Sequence, residues 1–305
     1  MKFISDSNDL SNYLNQSAPK NIDIKDISTD TRTIVKGSLF IGIKGNNFNG
    51  NDFVEDAIHK GAYLVITDSR KYINHKNENI VYVDNSVSAL RRIASNIIKS
   101  FDGNVVGITG SNGKTIVKEW LNQLLSNRYQ IIRSPRSYNS QIGVPLSVWE
   151  MEEKHQLAIF EAGISQKGEM DVLANIIHPT IGILTSIGTA HQEGFETESE
   201  KRNEKWKLFE NAQIIIAPLS EFPIIKMDAS HNLGAPSVIT WCRSGAATLK
   251  IHSEKIIQGQ THLQVNYLGT DLQLVVPFTD LISVNNTITC FLTLLHLKVP
   301  MSEIQ

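Results

Sequence analysis

The residues best suited to chemistry lie between Gly107 and Thr115, in the run GITGSNGKT. Glycines at 107, 110 and 113 let the backbone turn tightly, and Lys114 and Thr115 stand at the expected start of a helix. The backbone N–H groups of Gly110, Ser111, Asn112 and Gly113, with the positive end of the helix dipole, then face one point and suit phosphate oxygens. Lys114 adds a mobile cation, and the Thr115 hydroxyl takes the position that binds Mg2+ in such loops. The strict pattern GxxxxGK(S/T) asks for glycine where this chain has Ile108, so the loop is a variant. A glycine turn that only joins a strand to a helix is the plain alternative, and the strand-loop-helix context disfavours it. The loop implies ATP or a close relative as ligand, without saying whether phosphate is transferred, hydrolysed or sensed.

Other candidates are less distinctive by themselves. Glu161 directly follows the apolar run LAIF, and His191 follows another in TSIGTAHQEGF. Both would project from the carboxyl ends of strands, where doubly wound sheets bind ligands. A solvated or capping Glu and an ordinary surface His fit these positions too. Lys205 sits in the charged helical stretch ETESEKRNEKWKLFENA, where a solvated lysine is the bland reading. Asn286, in SVNNTITCF, reads by itself as an ordinary helix-capping residue, although its amide has donor and acceptor edges.

The elements that must position these groups form two texturally distinct parts, meeting near Phe101, where SALRRIASNIIKSF gives way to DGN and VVGIT. Before it, LFIGI, YLVIT and IVYVD read as short strands and DFVEDAIHKGA as an amphipathic helix ending at Gly61, which predicts a small α/β domain over residues 1–100. Over residues 101–305, VVGIT, LAIFEAG, IGILTSIG and QIIIAPL read as strands, and KTIVKEWLNQLL as the helix after the first. That pattern predicts a doubly wound, mostly parallel sheet. Between Ala247 and Pro277 short alternating runs separated by glycine predict appended antiparallel strands, and Leu281 to Leu297 reads as a helix.

A chain of 305 residues with 41% hydrophobic and 20% charged residues is ordinary for a folded protein of about two domains. A formal charge of −2 gives no basic footprint for nucleic acid or an anionic membrane. The start, MKFISDSNDL, has no secretory apolar core, and no later run approaches the roughly 18 apolar residues of a spanning helix, so the expected location is the cytoplasm. Cys242 and Cys290 lack any metal or redox spacing.

Taken in order, ITGSNGKT, SYNSQIGVPLSV, FEAG, HPTIGILTSIGTAHQEGF and EKWKLF resemble the motifs of the Mur ligases over much of residues 107–209. The resemblance is greatest to the branch that adds D-alanyl-D-alanine to UDP-N-acetylmuramoyl-tripeptide in cell-wall synthesis. STDTRTIVKGSLFIGIKGNNFNGNDFVEDAIHKGA is similar to the family's uridine-nucleotide domain. The nearest enzyme alternatives are other Mur ligases and the similar folylpolyglutamate synthases, of which the latter are disfavoured by that amino-terminal piece. SPRSYNSQIGVPLSVW also resembles the form fused to an alanine racemase, implying a pyridoxal-phosphate domain beyond this chain.

The resemblance implies an ATP- and Mg2+-dependent acid-amino-acid ligase working through an acyl phosphate. It assigns catalytic roles to Lys114, His191 and Lys205, the last carbamylated by carbon dioxide, with Lys201 and Lys207 close enough to compete for that assignment. It implies metal ligation by Thr115, Glu161, His191 and Lys205, and ATP binding by Gly110, Ser111, Asn112, Gly113, Lys114, Thr115, Asn139 and Asn286. Asp30, Thr31, Arg32, Lys44 and Gly45 match the uridine-nucleotide side, although a loop salt bridge explains Asp30 and Arg32 equally well. The family usually has two adjacent Asn where this chain has Asn139 and Ser140, so Asn139 alone is carried over. A third, carboxy-terminal domain is expected to be missing from the 305 residues, leaving a fragment that binds nucleotide but makes little product. The reading from another class is a non-catalytic module that uses the loop as a nucleotide sensor.

Overall fold

The computed structural model describes residues 7–14, 24–45, 47–188, 194–222 and 236–304, with side chains described from residue 10 onward. Two compact units emerge: Met1–Asp102 together with Gln141–Lys154, and Gly103–Ser140 together with His155–Gln305.

The first unit is built on a parallel sheet, β1 (Asp26–Ser28), β2 (Ser38–Ile41), β3 (Leu64–Thr67) and β4 (Ile80–Tyr82), in that order. Every residue of β2 and β3 is buried, as continuous apolar runs in a covered parallel sheet should be. Phe40, Val65, Tyr72 and Ile80 share a core with Val54 and Ala57 of helix α2 (Val54–His59). Helix α3 (Ser86–Lys99) starts on the Asn85 side chain, which accepts from the Ser88 N–H. It packs on α1 (Ser7–Leu14) and on α5 (Gly143–Trp149), a helix the chain supplies later, with Pro145 tolerated in its first turn. Arg91 of α3 donates to the backbone carbonyl and side chain of Gln141, securing the start of that excursion.

The second unit holds a nine-stranded sheet in the order β13-β12-β11-β10-β9-β8-β5-β7-β6. Its parallel part comprises β5 (Asn104–Thr109), β6 (Ile131–Arg133), β7 (Leu157–Glu161), β8 (Ile181–Leu184), β9 (Ile214–Pro218) and β10 (Ser237–Cys242). Strands β11 (Leu249–Ile257), β12 (Gln260–Tyr267) and β13 (Thr270–Val276) extend it as an antiparallel meander. The expected mixed sheet is therefore present, with β6 and β10 added to the four parallel strands read from sequence. Helices α4 (Lys114–Leu125), α6 (Glu169–Ile177), α7 (Glu198–Trp206), α8 (Leu281–His296) and α9 (Met301–Ile304) complete the unit. Val117, Leu121 and Leu125 recur along one face of α4 and enter the core with β5 and α8. Among the described residues no helix is long and apolar enough to cross a membrane.

Candidate nucleotide site

Strand β5 ends at Thr109 and α4 begins at Lys114, so the turn between them is Gly110 to Gly113. Gly110 has φ +146° and Gly113 φ +87°, regions that L side chains rarely adopt. A Cβ on Gly110 would stand 1.9 Å from Thr185 Oγ1, and one on Gly113 would stand 2.5 Å from Asn286 Oδ1. Ile108, the departure from the strict pattern, lies inside β5 opposite Glu161 and Ile183 and is fully buried. Its position calls for an apolar strand residue, since the turning is done by the two glycines that follow.

The loop is braced by the end of β8. Ser111 N donates to Ser186 O at 2.7 Å, and Thr185 Oγ1 donates to Asn112 O at 2.6 Å. The N-cap of α4 is Gly113, which has no side chain to cap the helix, so the first-turn N–H groups are left for another partner.

Three lysines approach from two helices. Lys114 Nζ donates to the carbonyls of Gly110 and Ser111 at 2.8 and 3.3 Å. Lys205 Nζ donates to the same Gly110 carbonyl at 3.2 Å. Lys201 donates to Gly188 O, which also accepts from Ser111 Oγ at 3.2 Å. Lys207 instead pairs with Asp171 and Glu204 at 2.7 and 2.9 Å, whereas Lys205 touches the phosphate loop directly through Gly110. Burial, reinforced by the charges of Lys114 and Lys201, brings Lys205 down to about 7. Burial lowers Lys114 as well, with Glu161 opposing and Lys201 adding to the shift.

Thr115 Oγ1 donates to Glu161 Oε2 at 3.0 Å, placing a hydroxyl and a fully buried carboxylate side by side. The other carboxylate oxygen, Oε1, makes no aligned hydrogen bond but lies 2.9 Å from the ammonium of Lys118. That contact is a charge pair, and Lys118 was not legible as a site residue in the sequence. Standing three residues after Thr115, it shares that residue's face of α4. Oxygen donors of this kind suit Mg2+, which keeps waters and phosphate oxygens beside one or two protein ligands. Among the described residues no three His, Cys, Asp or Glu side chains gather to hold a metal by themselves.

Asn139 joins this cluster through Gly163, whose N–H donates to Asn139 O at 2.9 Å two residues beyond Glu161. Asn286 is buried against Gly113 and its Nδ2 makes no hydrogen bond. The plain helix-cap reading of Asn286 is not what is seen, because α8 is capped by Asp280, which accepts from Ser283 N. His191 lies outside the described residues.

The remaining candidates belong to the first unit. Asp30, Thr31 and Arg32 follow β1, and Lys44 and Gly45 follow β2; the two strands pair in parallel, so both loops leave the same sheet edge. The salt bridge that could explain Asp30 and Arg32 is formed, at 2.6 Å, and the guanidinium holds the Asp30 carboxyl down to about 2. Lys44 bridges to Asn49, and Gly45 N donates to Phe48 O at 2.9 Å.

Comparison with known proteins gives consistent matches. Residues 108–294 match the Mur ligase middle domain, and residues 23–129 match the Mur ligase family catalytic domain. A UDP-N-acetylmuramoyl-tripeptide--D-alanyl-D-alanine ligase of Treponema pallidum (strain Nichols) is 29% identical over 293 residues, covering 92% of this chain and 61% of that protein. The enzyme of the same name from Bacillus subtilis (strain 168) is 35% identical over 170 residues, covering 56% of this chain and 37% of its own length. Among solved structures, MurF from Acinetobacter baumannii superposes with a TM-score of 0.86 at 22% identity, over 98% of this chain and 66% of that one. MurF ligase from Thermotoga maritima in complex with ADP gives 0.80 at 23% identity, over 94% and 66%. The chain thus spans from about a third to about two thirds of the length of these relatives.

Proposed function

Because this chain belongs to the Mur ligase family, we propose that it forms the nucleotide-binding part of an ATP-dependent amide ligase of peptidoglycan precursor synthesis. The reaction is the addition of D-alanyl-D-alanine to UDP-N-acetylmuramoyl-tripeptide. The observation that carries this reading is the meeting of Lys114, Thr115, Glu161 and Lys205 around one phosphate loop. The names of the relatives support the choice of substrates.

In this reading the tripeptide carboxylate attacks the γ-phosphorus of ATP, the bond to the ADP oxygen breaks, and an acyl phosphate forms. The dipeptide amine then attacks the acyl carbon, phosphate leaves, and the amine loses a proton as the amide forms. Both steps gather negative charge, so positioning and cationic stabilisation dominate the catalysis. The α4 N-terminus and Lys114 bind the phosphates, while Thr115 and Glu161 hold Mg2+, which supplies further neutralisation when bound. His191 is assigned to the same metal and catalytic group by its place in the family motif. Asn286 is assigned to adenine and Asn139 to ATP by the family motifs they match.

Lys205 is the lysine for carbamylation. At neutral pH much of it is free amine, and that amine adds to carbon dioxide, forming an N–C bond and releasing one proton to give an anionic carbamate. Asp30, Thr31, Arg32, Lys44 and Gly45 hold the uridine nucleotide of the acceptor. The partner set is UDP-N-acetylmuramoyl-tripeptide, D-alanyl-D-alanine and, from the similarity of Ser134–Trp149 to the fused form, an alanine racemase on the same polypeptide. The location is cytoplasmic.

Hydrogen exchange tests the assignment. ADP with Mg2+ should slow exchange in residues 110–118, and Lys114→Ala should remove that protection, while UDP-N-acetylmuramoyl-tripeptide should protect residues 28–45. Protection by ADP with no effect from any muramoyl peptide would put the sensor reading ahead.

A further inference from the structure

We infer that Lys118 is a positioning residue that makes Glu161 present a single oxygen, Oε2, to a bound cation and ties that carboxylate to the Asn139 loop. The inference rests on the nucleotide and metal reading of the site given above. Lys118 stands one helical turn beyond Thr115 on α4, and its side chain is 0% exposed. An ammonium so deeply placed is costly unless its donors and charge are matched.

All three of its donors have acceptors within reach. Lys118 Nζ donates to Ser134 O at 2.7 Å and to Arg136 O, and it faces Glu161 Oε1 at 2.9 Å. Glu119 adds an outer carboxylate at 3.2 Å, itself shared with Arg133 at 2.9 Å. One side chain therefore connects three elements: the phosphate-loop helix, the end of β7, and the segment that leads to Asn139.

The geometry divides the labour between the two oxygens of Glu161. Oε1 is turned to Lys118 and Oε2 to Thr115, so a cation on the Thr115 side meets one oxygen of fixed orientation. The segment carrying the two accepting carbonyls is itself strained, because Arg136 has φ +49° without being glycine. Lys118 holds that conformation, and Asn139 follows three residues on, with its carbonyl on the Gly163 N–H. An ordinary structural ion pair would also stabilise the fold, but it would leave the linkage between metal and nucleotide unchanged.

The test is the linkage itself. ADP binding is titrated calorimetrically with and without Mn2+, and the ratio of the two affinities is compared among variants. Lys118→Met and Lys118→Gln should each reduce that ratio by about 10- to 100-fold, the range typical for partners that orient metal ligands, while metal-free ADP affinity stays within about twofold. Adding Lys118→Met to Glu161→Gln should cause no further fall, because Lys118 acts through Glu161. A wild-type ratio in either single variant, or losses that simply add, would overturn the inference while leaving the nucleotide reading standing. A wild-type chain whose ADP affinity ignores Mn2+ would overturn the metal reading and this inference with it. If neither single variant folds, Glu161→Gln must restore folded protein to Lys118→Met, and failure to do so would sink the proposed pairing.

Discussion

At Lys205, burial and two neighbouring ammonium groups push in the same direction. An unfolded lysine titrates near 10.4, so between about pH 7 and 10 the unfolded state holds more protons than the folded one. Stability attributable to this residue therefore rises as pH increases through that window and is absent below it. In buffer free of metal and carbon dioxide, the melting temperature of wild type relative to Lys205→Met should climb from pH 7 to pH 10. A flat difference would show that Lys205 is solvated in the folded protein. The family motif locates this lysine only to within a few residues, because Lys201, Lys205 and Lys207 share one charged stretch and charge alone does not reveal which face is covered. What separates them is packing: Lys207 finds carboxylates, Lys201 the Gly188 carbonyl and Lys205 the phosphate loop. Lys118 was illegible for the opposite reason, since a lysine inside an otherwise amphipathic helix reads as solvent-facing until its acceptors are seen.

The elements follow the same logic at a longer range. The apolar runs that read as strands in the sequence are β2, β3, β4, β5, β7, β8 and β9, and all of them except the edge strand β4 lie inside their sheets, where both faces are covered. Strands β1, β6 and β10 were not read. The first two have three residues each with no more than two of them apolar, whereas the equally short β4 is apolar throughout, and β10 is partly exposed along its first half. Helix α7 carries Lys201 and Lys205, and its start is set by Thr197, whose hydroxyl accepts from Glu200 N at 3.0 Å. The Glu200 carboxylate in turn accepts from the Glu196 N–H, a variation on the capping box that satisfies a second backbone donor. Thr197→Ala should cost about 1 kcal/mol, read as a lower urea midpoint with an unchanged slope. An unchanged midpoint would mean that the α7 start is held by its packing alone.

For the whole molecule, the chain passes between units three times, at Asp102–Gly103, Ser140–Gln141 and Lys154–His155. Composition reveals the first passage, where a helical pattern meets a buried strand. It does not reveal the other two, because GVPLSVW has the apolar character of either unit's core. Val144, Val148 and Trp149 of α5 are buried, and each contributes about 1.5–3 kcal/mol if fully removed from water. Together that is comparable with the whole stability of an ordinary domain. Residues 1–102 produced alone should therefore unfold at a markedly lower denaturant concentration than the same residues fused to 141–154. Equal midpoints would show that α3 does not need the later helix.

The excursion from Gln141 to Lys154 also changes how inherited variation in this protein should be read. A substitution at Val148 or Trp149 is numbered between two stretches that build the phosphate-loop unit, yet its effect falls on the fold of the other unit. A map of mutational tolerance drawn along the chain would show an island there, with its sensitivities correlated with those of residues fifty positions earlier, such as Arg91 with Gln141.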